Sequence, residues 1–423
     1  MGGRGTMSDL DRHSQNHPAD RAEDGASRRP ILPQRRRTAG SMRMPRAVVA
    51  GFGVALVTGS LGLVALTATS GSAQANPSQS HVSTVSVASP RYTPHAAVGQ
   101  TDDYHCSLVN PHITQNSYVI SSVFKPGGRE VHHAVLALVP PDLTSQALAA
   151  NAASGKKGWT CFGAPSLPNA SLAAFISTPF LSVWAPGHGK DVLPKGTGIP
   201  LPKGSLVIEQ VHYNLLVGDK PVTNELTLHT VPKSTPLLAM QSQYLIAPPN
   251  IACPTGVTGS LCNYQASINY LDQRFGSDGV LMAKGIDQIC GENPDNPPAG
   301  DTATCTWSIG SNGYIDRIQP HMHLLGVSFT MVLDPGTPQA KTILSVPNYN
   351  FDYQKAYNVA PVPVSRGEKI QINCSYNPEL GQELPILRKS PPHFVTFGDG
   401  STDEMCVGVT WQTSSRPNSH DSL

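Results

Sequence analysis

Short stretches of alternating apolar and polar residues recur along most of the chain, separated by glycine and proline. Examples are "SYVISSVF" (117–124), "NELTLHTV" (224–231) and "KIQINCSY" (369–376). A period of two is typical of half-buried strands, and few windows keep the 3.6-residue period of a helix. With 38 glycines and 38 prolines among 423 residues as punctuation, the pattern predicts an all-β chain built of sandwiches or barrels.

A polar stretch containing prolines, "TVPKSTPLLA" (230–239), separates two strand-rich regions of similar size. Such composition is typical of a boundary between domains. We therefore predict one β domain over residues 98–233 and a second over residues 234–412. The pattern is least regular between residues 248 and 305, which predicts long loops there.

Three further segments show no strand or helix period, which is typical of unstructured chain. They are the arginine-rich residues 1–46, a linker at residues 76–97 and a tail at residues 413–423.

The pattern of residues 47–75 predicts that the chain is exported. An uncharged, largely apolar run (47–68) is followed by Ala73-Gln74-Ala75, which fits the small-residue rule for signal cleavage. A cleaved signal peptide is the favoured interpretation. Because the run is long enough to span a bilayer, a membrane anchor is the competing one. Both place the rest of the chain outside the cell or on the outer face of the membrane.

The charge of the exported part argues against nucleic acid as a partner. Without residues 1–75 the chain has 20 basic and 24 acidic residues, so its formal charge changes from +1 to −4. It has no basic stripe with interleaved aromatic residues, which nucleic-acid-binding surfaces show. The oligomeric state stays open.

All eight cysteines follow the export segment, and an even number there predicts disulfides formed in an oxidising compartment. None belongs to a C-x-x-C pair, which argues against a zinc ribbon or a thioredoxin-like site. Spacing alone does not give the partners: Cys253, Cys262, Cys290 and Cys305 allow three pairings.

Three motifs carry histidines at positions suited to metal binding. His321 and His323, in "QPHMHLLG", point to the same face of a strand and can reach one ion. His132 and His133, in "EVHHAV", are adjacent and can share an ion only if the strand twists or bulges there. His212 lies in the apolar strand "EQVHYN", where a buried imidazole needs a partner.

Met405 in "STDEMCVGV" completes the candidate set. Methionine usually fills space in a core. A thioether beside two imidazoles is nevertheless a soft site, which matches Cu(I) better than zinc, calcium or magnesium.

In this order the motifs resemble those of the copper type II, ascorbate-dependent monooxygenases, the family of peptidylglycine α-hydroxylating monooxygenase and dopamine β-monooxygenase. The flanks agree as well. "DDYHC" (102–106) precedes the histidine pair, and "LPKGTGIPLPKGSLVIEQVHY" (193–213) leads into the third histidine. The resemblance covers residues 102–410.

The resemblance implies two tandem jelly-roll β-sandwich domains with a solvent cleft between them, and two coppers per chain. It also implies the disulfides Cys106–Cys161 and Cys374–Cys406. The implied activity is hydroxylation of a C–H bond of a small organic substrate with O2 and a reductant such as ascorbate. The implied ligands are His132, His133 and His212 for an electron-transfer copper, and His321, His323 and Met405 for the catalytic, oxygen-activating copper.

The chain departs from the family where substrate is bound. The peptide-hydroxylating branch anchors a carboxylate with an arginine, whereas this chain has Gln319 at that place and Val407, Gly408 and Val409 after the Met-Cys pair. The anchor for a peptide carboxylate is therefore missing. Asp403 and Glu404 are the candidate counter-ions for an amine.

Two other hypotheses remain. One is a non-catalytic copper-binding or copper-buffering protein on the same scaffold. The other is a zinc-dependent hydrolase, against which the chain lacks an H-E-x-x-H motif and leaves Met405 without a role.

Overall fold

Alternating burial organises the strands of the computed structural model. In the strand Lys369–Tyr376, Ile370, Ile372 and Cys374 are buried, whereas the residues between them are partly exposed. One row of side chains is thereby removed from water, which is the main favourable term in folding. The structure describes residues 81–96, 100–163, 165–168 and 170–414.

The described residues form eighteen strands and four α-helices. The strands of the first half are β1 (Ser83–Ala88), β2 (Asp102–Val109), β3 (Ser117–Lys125), β4 (Val131–Val139), β5 (Trp159–Thr160), β6 (Phe180–Trp184), β7 (Asp191–Val192), β8 (Thr197–Leu201), β9 (Leu206–Asn214) and β10 (Glu225–Pro232). Those of the second half are β11 (Leu238–Ala247), β12 (Thr302–Ser308), β13 (Gly313–His321), β14 (Gly326–Leu333), β15 (Lys341–Val346), β16 (Tyr357–Val364), β17 (Lys369–Tyr376) and β18 (Cys406–Thr413). The helices are α1 (Thr144–Ala153), α2 (Leu172–Ile176), α3 (Tyr264–Ile289) and α4 (Leu380–Glu383).

Each half pairs two sheets around apolar side chains. In the first half, the sheet β5-β2-β9-β4-β6 faces β1-β10-β3-β8, and Leu136 and Leu228 from the two sheets belong to one core. In the second half, β11-β18-β13-β16 faces β12-β17-β14-β15, with Ile315 and Phe329 in a common core. The all-β prediction is confirmed in part: the chain is mostly β-sheet with a few helices, and the layers are those of β-sandwiches.

The two halves share a sheet. β8 pairs in parallel with β11, Thr197 opposite Leu238 and Gly198 opposite Ala239, so that strands of both halves form one continuous sheet. The larger apolar core also contains Trp411 of β18 beside residues of the first half. Residues 233–237 of the polar stretch are therefore a turn between β10 and β11, and the rest of the stretch belongs to these two strands.

Two segments predicted to be irregular contain regular structure. β1 lies within the predicted linker and pairs antiparallel with β10. Helix α3 fills the centre of residues 248–305, predicted as loops. It begins after Asn263, whose side chain accepts the N–H of Ala266, and it buries Ile268 and Leu271. Gly276, with a φ of 69°, interrupts the helix.

All eight cysteines form disulfides. The pairs implied by the resemblance, Cys106–Cys161 and Cys374–Cys406, are confirmed. The pairing that the sequence left open is Cys253–Cys262 and Cys290–Cys305. Four disulfides indicate an oxidising, extracellular environment.

The predictions for residues 1–46 and for the signal or anchor at residues 47–75 lie outside the described residues, as do residues 415–423 of the predicted tail. In the part of the chain that the structure describes, no helix is both long and apolar enough to cross a bilayer.

Candidate metal centre

The adjacent histidines of β4 reach one side of their sheet because the strand bulges there. Along the pairing of β4 with β9, Val131 lies opposite Tyr213 and His133 opposite His212, so that His132 is an extra residue in the register. A bulge turns a side chain relative to its neighbours. Adjacent histidines of a strand can share an ion only if the strand bulges, and β4 has this bulge.

His132, His133 and His212, here called the first triad, could hold a metal ion. One ring nitrogen from each lies within 4.8 Å of those of the other two. The Nδ1 atom of His132 and the Nε2 atom of His133 are buried and have no hydrogen-bond partner in the described structure. Because unpaired buried polar atoms are costly, these nitrogens suit an ion.

Two residues of β2 orient His212. Its Nε2–H donates to Asp102 Oδ1 at 2.7 Å, and the Tyr104 hydroxyl donates to its Nδ1 at 3.1 Å. The Tyr104 ring also stacks on the imidazole, with centroids 4.2 Å apart. Burial alone would raise the pKa of Asp102, but hydrogen bonds from His212 and Ser401 lower it to about 2. The carboxylate therefore fixes the tautomer in which Nδ1 carries the lone pair, and this lone pair accepts from Tyr104.

His321 and His323, with Met405, form the second triad. The two ring centroids lie 5.1 Å apart. The Nδ1–H of His321 donates to Gln354 Oε1 at 2.6 Å, and the Nδ1–H of His323 donates to the carbonyl of Asp403 at 3.1 Å. Each ring thus keeps the lone pair of its Nε2, and the Nε2 of His323 is buried without a partner in the described structure.

Glu404 ties Met405 to the histidines of the second triad. Its Oε2 accepts the backbone N–H of His323 at 2.9 Å and that of Met405 at 3.2 Å, while its Oε1 accepts the N–H of Leu325 at 2.6 Å. One buried carboxylate therefore joins the end of β13 to the start of β18. The backbone of Met405 is thereby held near that of His323, and Met405 lines the same cavity as the two histidines.

A loop at residues 399–404 links the supports of the two triads. Ser401 donates both its hydroxyl (2.9 Å) and its N–H (3.3 Å) to Asp102, the carboxylate that orients His212. Asp403, whose carbonyl accepts from His323, forms a buried ion pair with Arg274 of α3. The loop therefore spans from the first triad to the second.

The two triads lie against each other. The ring centroids of His133 and His321 are 5.5 Å apart, and both rings line a cavity of about 40 Å³ together with His323 and Met405. The solvent cleft implied by the resemblance is therefore wrong for this structure at these residues. The sandwiches meet there because β8 and β11 join in one sheet and because the 399–404 loop holds both halves.

The imidazoles of His132, His133, His321 and His323 are neutral at neutral pH. Burial lowers the pKa of His132 to about 3 and that of His321 to about 4. Burial, reinforced by neighbouring imidazoles, lowers the pKa of His133 and His323 well below the ordinary value. Ring lone pairs are thus available to an ion. Three nitrogens in one group, and two nitrogens with a thioether in the other, form a donor set that fits copper.

Several residues of this centre were not predicted from the sequence. Asp102 and Tyr104 belong to the quoted "DDYHC" element. Because they alternate along a strand that pairs with the His212 strand, they point to the same face, and this spacing could have indicated them as partners of His212. Gln354 and Ser401 come from loops and had no such signal. Glu404 and Asp403 were candidate counter-ions for an amine, but their carboxylates are occupied by backbone N–H groups and by Arg274.

Comparison with known proteins gives no assignment. No family model matches the chain, and no curated protein matches it. Among solved structures, an allantoicase is 11% identical with a TM-score of 0.17, covering 77% of this chain and 81% of its own. Allantoicase from Saccharomyces cerevisiae is 8% identical, with a TM-score of 0.18 and coverages of 76% and 80%. Oxalate decarboxylase from Bacillus subtilis is 8% identical, with a TM-score of 0.13 and coverages of 80% and 70%. Similarities this low carry no argument.

Proposed function

We propose that the chain is a copper-dependent monooxygenase that hydroxylates a C–H bond of a small organic substrate with O2 and a reductant such as ascorbate. One observation carries the proposal: two chemically different triads, three imidazoles and two imidazoles with a thioether, lie together with unpaired ring nitrogens. In this proposal the two sandwiches are the jelly rolls of the family that the motifs resemble.

The reaction requires more electrons than the substrate supplies. Insertion of one oxygen atom from O2 into R–H yields R–OH and water only with two added electrons and two protons. Copper would supply one-electron redox steps and the activation of O2. In the proposal, His132, His133 and His212 hold one copper, and His321, His323 and Met405 hold the other.

The chain's own residues prepare these ligands. Asp102, Gln354 and the carbonyl of Asp403 accept a ring N–H from His212, His321 and His323, respectively, so that each of these three imidazoles keeps the lone pair of its other nitrogen as the metal-binding atom of the proposal. Glu404 fixes the backbone on which the thioether is carried. A carboxylate or carbonyl behind a metal-binding imidazole typically strengthens metal affinity 10- to 100-fold.

Replacement of the thioether tests the proposal. Met405→Ile is expected to abolish reductant-dependent O2 uptake and product formation, while the copper of the first triad remains, so that copper content falls from two to one per chain. Met331→Ile is the matched control, because Met331 is buried in the second core away from both triads. A similar-sized apolar exchange there is expected to keep turnover. Full activity of Met405→Ile contradicts the proposal.

The other hypotheses give different results in the same experiments. A copper-buffering protein binds two coppers but consumes no O2 with ascorbate and any of a panel of amines, peptides and phenols. A zinc hydrolase retains zinc in preference to copper when the purified protein is exposed to both. Metal analysis therefore precedes the O2-uptake screen.

We further propose that the chain is exported, with residues 47–75 as its signal. The four disulfides support this proposal, because such bonds persist in oxidising compartments. Mass spectrometry of the mature N-terminus tests it, and a chain that still begins before residue 47 contradicts cleavage.

A further inference from the structure

The cavity between the triads has apolar walls. Phe180 and Tyr244 stack on one side, with ring centroids 5.3 Å apart, and Val407 and Val409 of β18 line it as well. None of the described side chains that line it is Asp, Glu, Lys or Arg. The position where the peptide-hydroxylating branch has an arginine is occupied by Gln319, which faces this cavity.

Two glutamines supply unused hydrogen-bonding capacity. Gln210 of β9 and Gln319 of β13 line the cavity from opposite halves, and each is 2% exposed. The Nε2 of Gln210 and the Oε1 of Gln319 have no partner in the described structure. In the described structure Gln210 thus offers an N–H donor and Gln319 a carbonyl acceptor to a ligand.

A charged ligand would find no free counter-ion among the side chains that line this cavity. Asp403 is paired with Arg274, and the carboxylate of Glu404 accepts three backbone N–H groups. Desolvation of an unpaired ammonium or carboxylate is strongly unfavourable. A neutral ligand avoids this cost and satisfies both glutamines, whereas a pure hydrocarbon leaves them unpaired.

We propose that this cavity binds a small uncharged substrate with a short apolar body and one hydroxyl or carboxamide group, held by Gln210 and Gln319. The inference rests on the proposed function and names its substrate class. A volume of about 40 Å³ has room for a few water molecules, so the cavity favours ligands with short chains. The glutamines are the specificity-determining residues.

Binding without turnover tests the proposal. Copper-loaded, oxidised protein without reductant is titrated with butyramide, butyrate and butylamine, which share size and differ in charge, and ligand-observed NMR reports binding. Butyramide is expected to bind at least tenfold more tightly than either charged compound. Equal or tighter binding of a charged compound overturns the proposal, as does the absence of binding by butyramide.

Variants of the two glutamines test whether these residues contact the ligand. Gln210→Leu and Gln319→Leu are expected to weaken butyramide binding at least tenfold, and both are expected to fold because they remove an unpaired buried polar group. Gln382→Leu, at an exposed glutamine, is the matched control. Gln319→Glu is expected to reverse the preference toward butylamine. Copper content is measured in every variant, and unchanged butyramide affinity in both leucine variants overturns the proposal.

The outcome is separable from that of the proposed function. If butyramide binds as expected but no neutral substrate elicits O2 uptake, the oxygenase proposal fails and the cavity assignment stands. If O2 uptake occurs only with charged substrates, the cavity assignment fails and the oxygenase proposal stands.

Discussion

Two buried glutamates near the two triads differ in their hydrogen bonding. Glu209 lies three residues before His212 on β9, and Glu404 directly precedes Met405. Burial raises the pKa of each carboxyl to about 8. Glu404 accepts three backbone N–H groups, whereas neither oxygen of Glu209 has a partner in the described structure. A buried carboxyl is therefore not by itself a sign of function, because only Glu404 holds ligands in place.

The triads also differ in the origin of their support. His212 is oriented by side chains of a neighbouring strand, Asp102 and Tyr104, in a regular antiparallel pairing. His323 is oriented by the backbone of the 399–404 loop. A strand places its side chains by its own geometry, but a loop needs an added constraint, which Glu404 provides.

The largest effect is expected from Glu404→Ala. The substitution leaves three buried N–H groups without an acceptor, at about 1–3 kcal/mol each. The copper of the second triad is expected to be lost while that of the first triad remains, as measured by metal analysis and by the melting temperature. Retention of both coppers with unchanged stability would show that the loop does not depend on this carboxylate.

The next effect concerns Glu209 and pH. Its folded pKa of about 8 exceeds the ordinary 4.5, so the folded chain retains a proton that the unfolded chain loses. The free energy of unfolding therefore falls as pH rises between these values, by up to about 1.4 kcal/mol per pH unit. Glu209→Gln is expected to flatten this slope and to be more stable than the parent near pH 8.

Melting temperatures measured across this pH range check the Glu209 prediction. Glu225→Gln is the control, because Glu225 is exposed and its ion pair with Lys125 lies at the surface. If the melting temperatures of the parent and of Glu209→Gln change equally with pH, the carboxyl of Glu209 is not an unpartnered buried group.

A smaller, local effect is expected from Asp102→Asn. Loss of the carboxylate behind His212 is expected to weaken copper binding by the first triad 10- to 100-fold, with the second triad unchanged. Asp103→Asn is the matched control, since Asp103 is also buried but accepts from Tyr92 and from the N–H of His95. Competition titrations with a copper chelator measure the affinity of each variant. An equal loss of copper affinity in the two variants would indicate that Asp102 and Asp103 both have a general structural role.

The smallest effect is expected from Tyr104→Phe. Its hydroxyl donates to His212 Nδ1, a hydrogen bond that a metal at this nitrogen would replace. Its removal is expected to raise copper affinity by about 2- to 10-fold, equivalent to 0.5–1.5 kcal/mol. The same chelator titration measures it, and a marked loss of affinity would show that the hydroxyl supports the bound state.

Local pattern was enough to predict the β class and to single out five histidines, because alternation and histidine spacing are properties of short segments. The grouping of the six candidate ligands, with Met405 among them, was implied by the family resemblance. Helix α3 was missed although Ile268 and Leu271 have helical spacing, since Gly276 interrupts the period and the flanking prolines favoured loops. The sequence predicted only that His132 and His133 could share an ion if their strand bulged, and not that it does. A bulge depends on the register with β9, which no single strand encodes.

Contacts between distant segments could not be predicted. Ser401 reaches Asp102 across 299 positions, and Gln354 reaches His321 from a loop. The contact between Ser401 and Asp102 joins the two halves where a cleft was expected. It accompanies the join between β8 and β11, which only the folded chain reveals.

The join between β8 and β11 makes the halves poor candidates for recombination. A crossover placed between residues 233 and 234 would graft β11 onto a foreign edge and expose Trp411 and Tyr244, which share the first half's core. A chimaera would have to inherit matching strands and matching core residues at once. Despite its two sandwiches, the chain is expected to have diverged as one unit of inheritance.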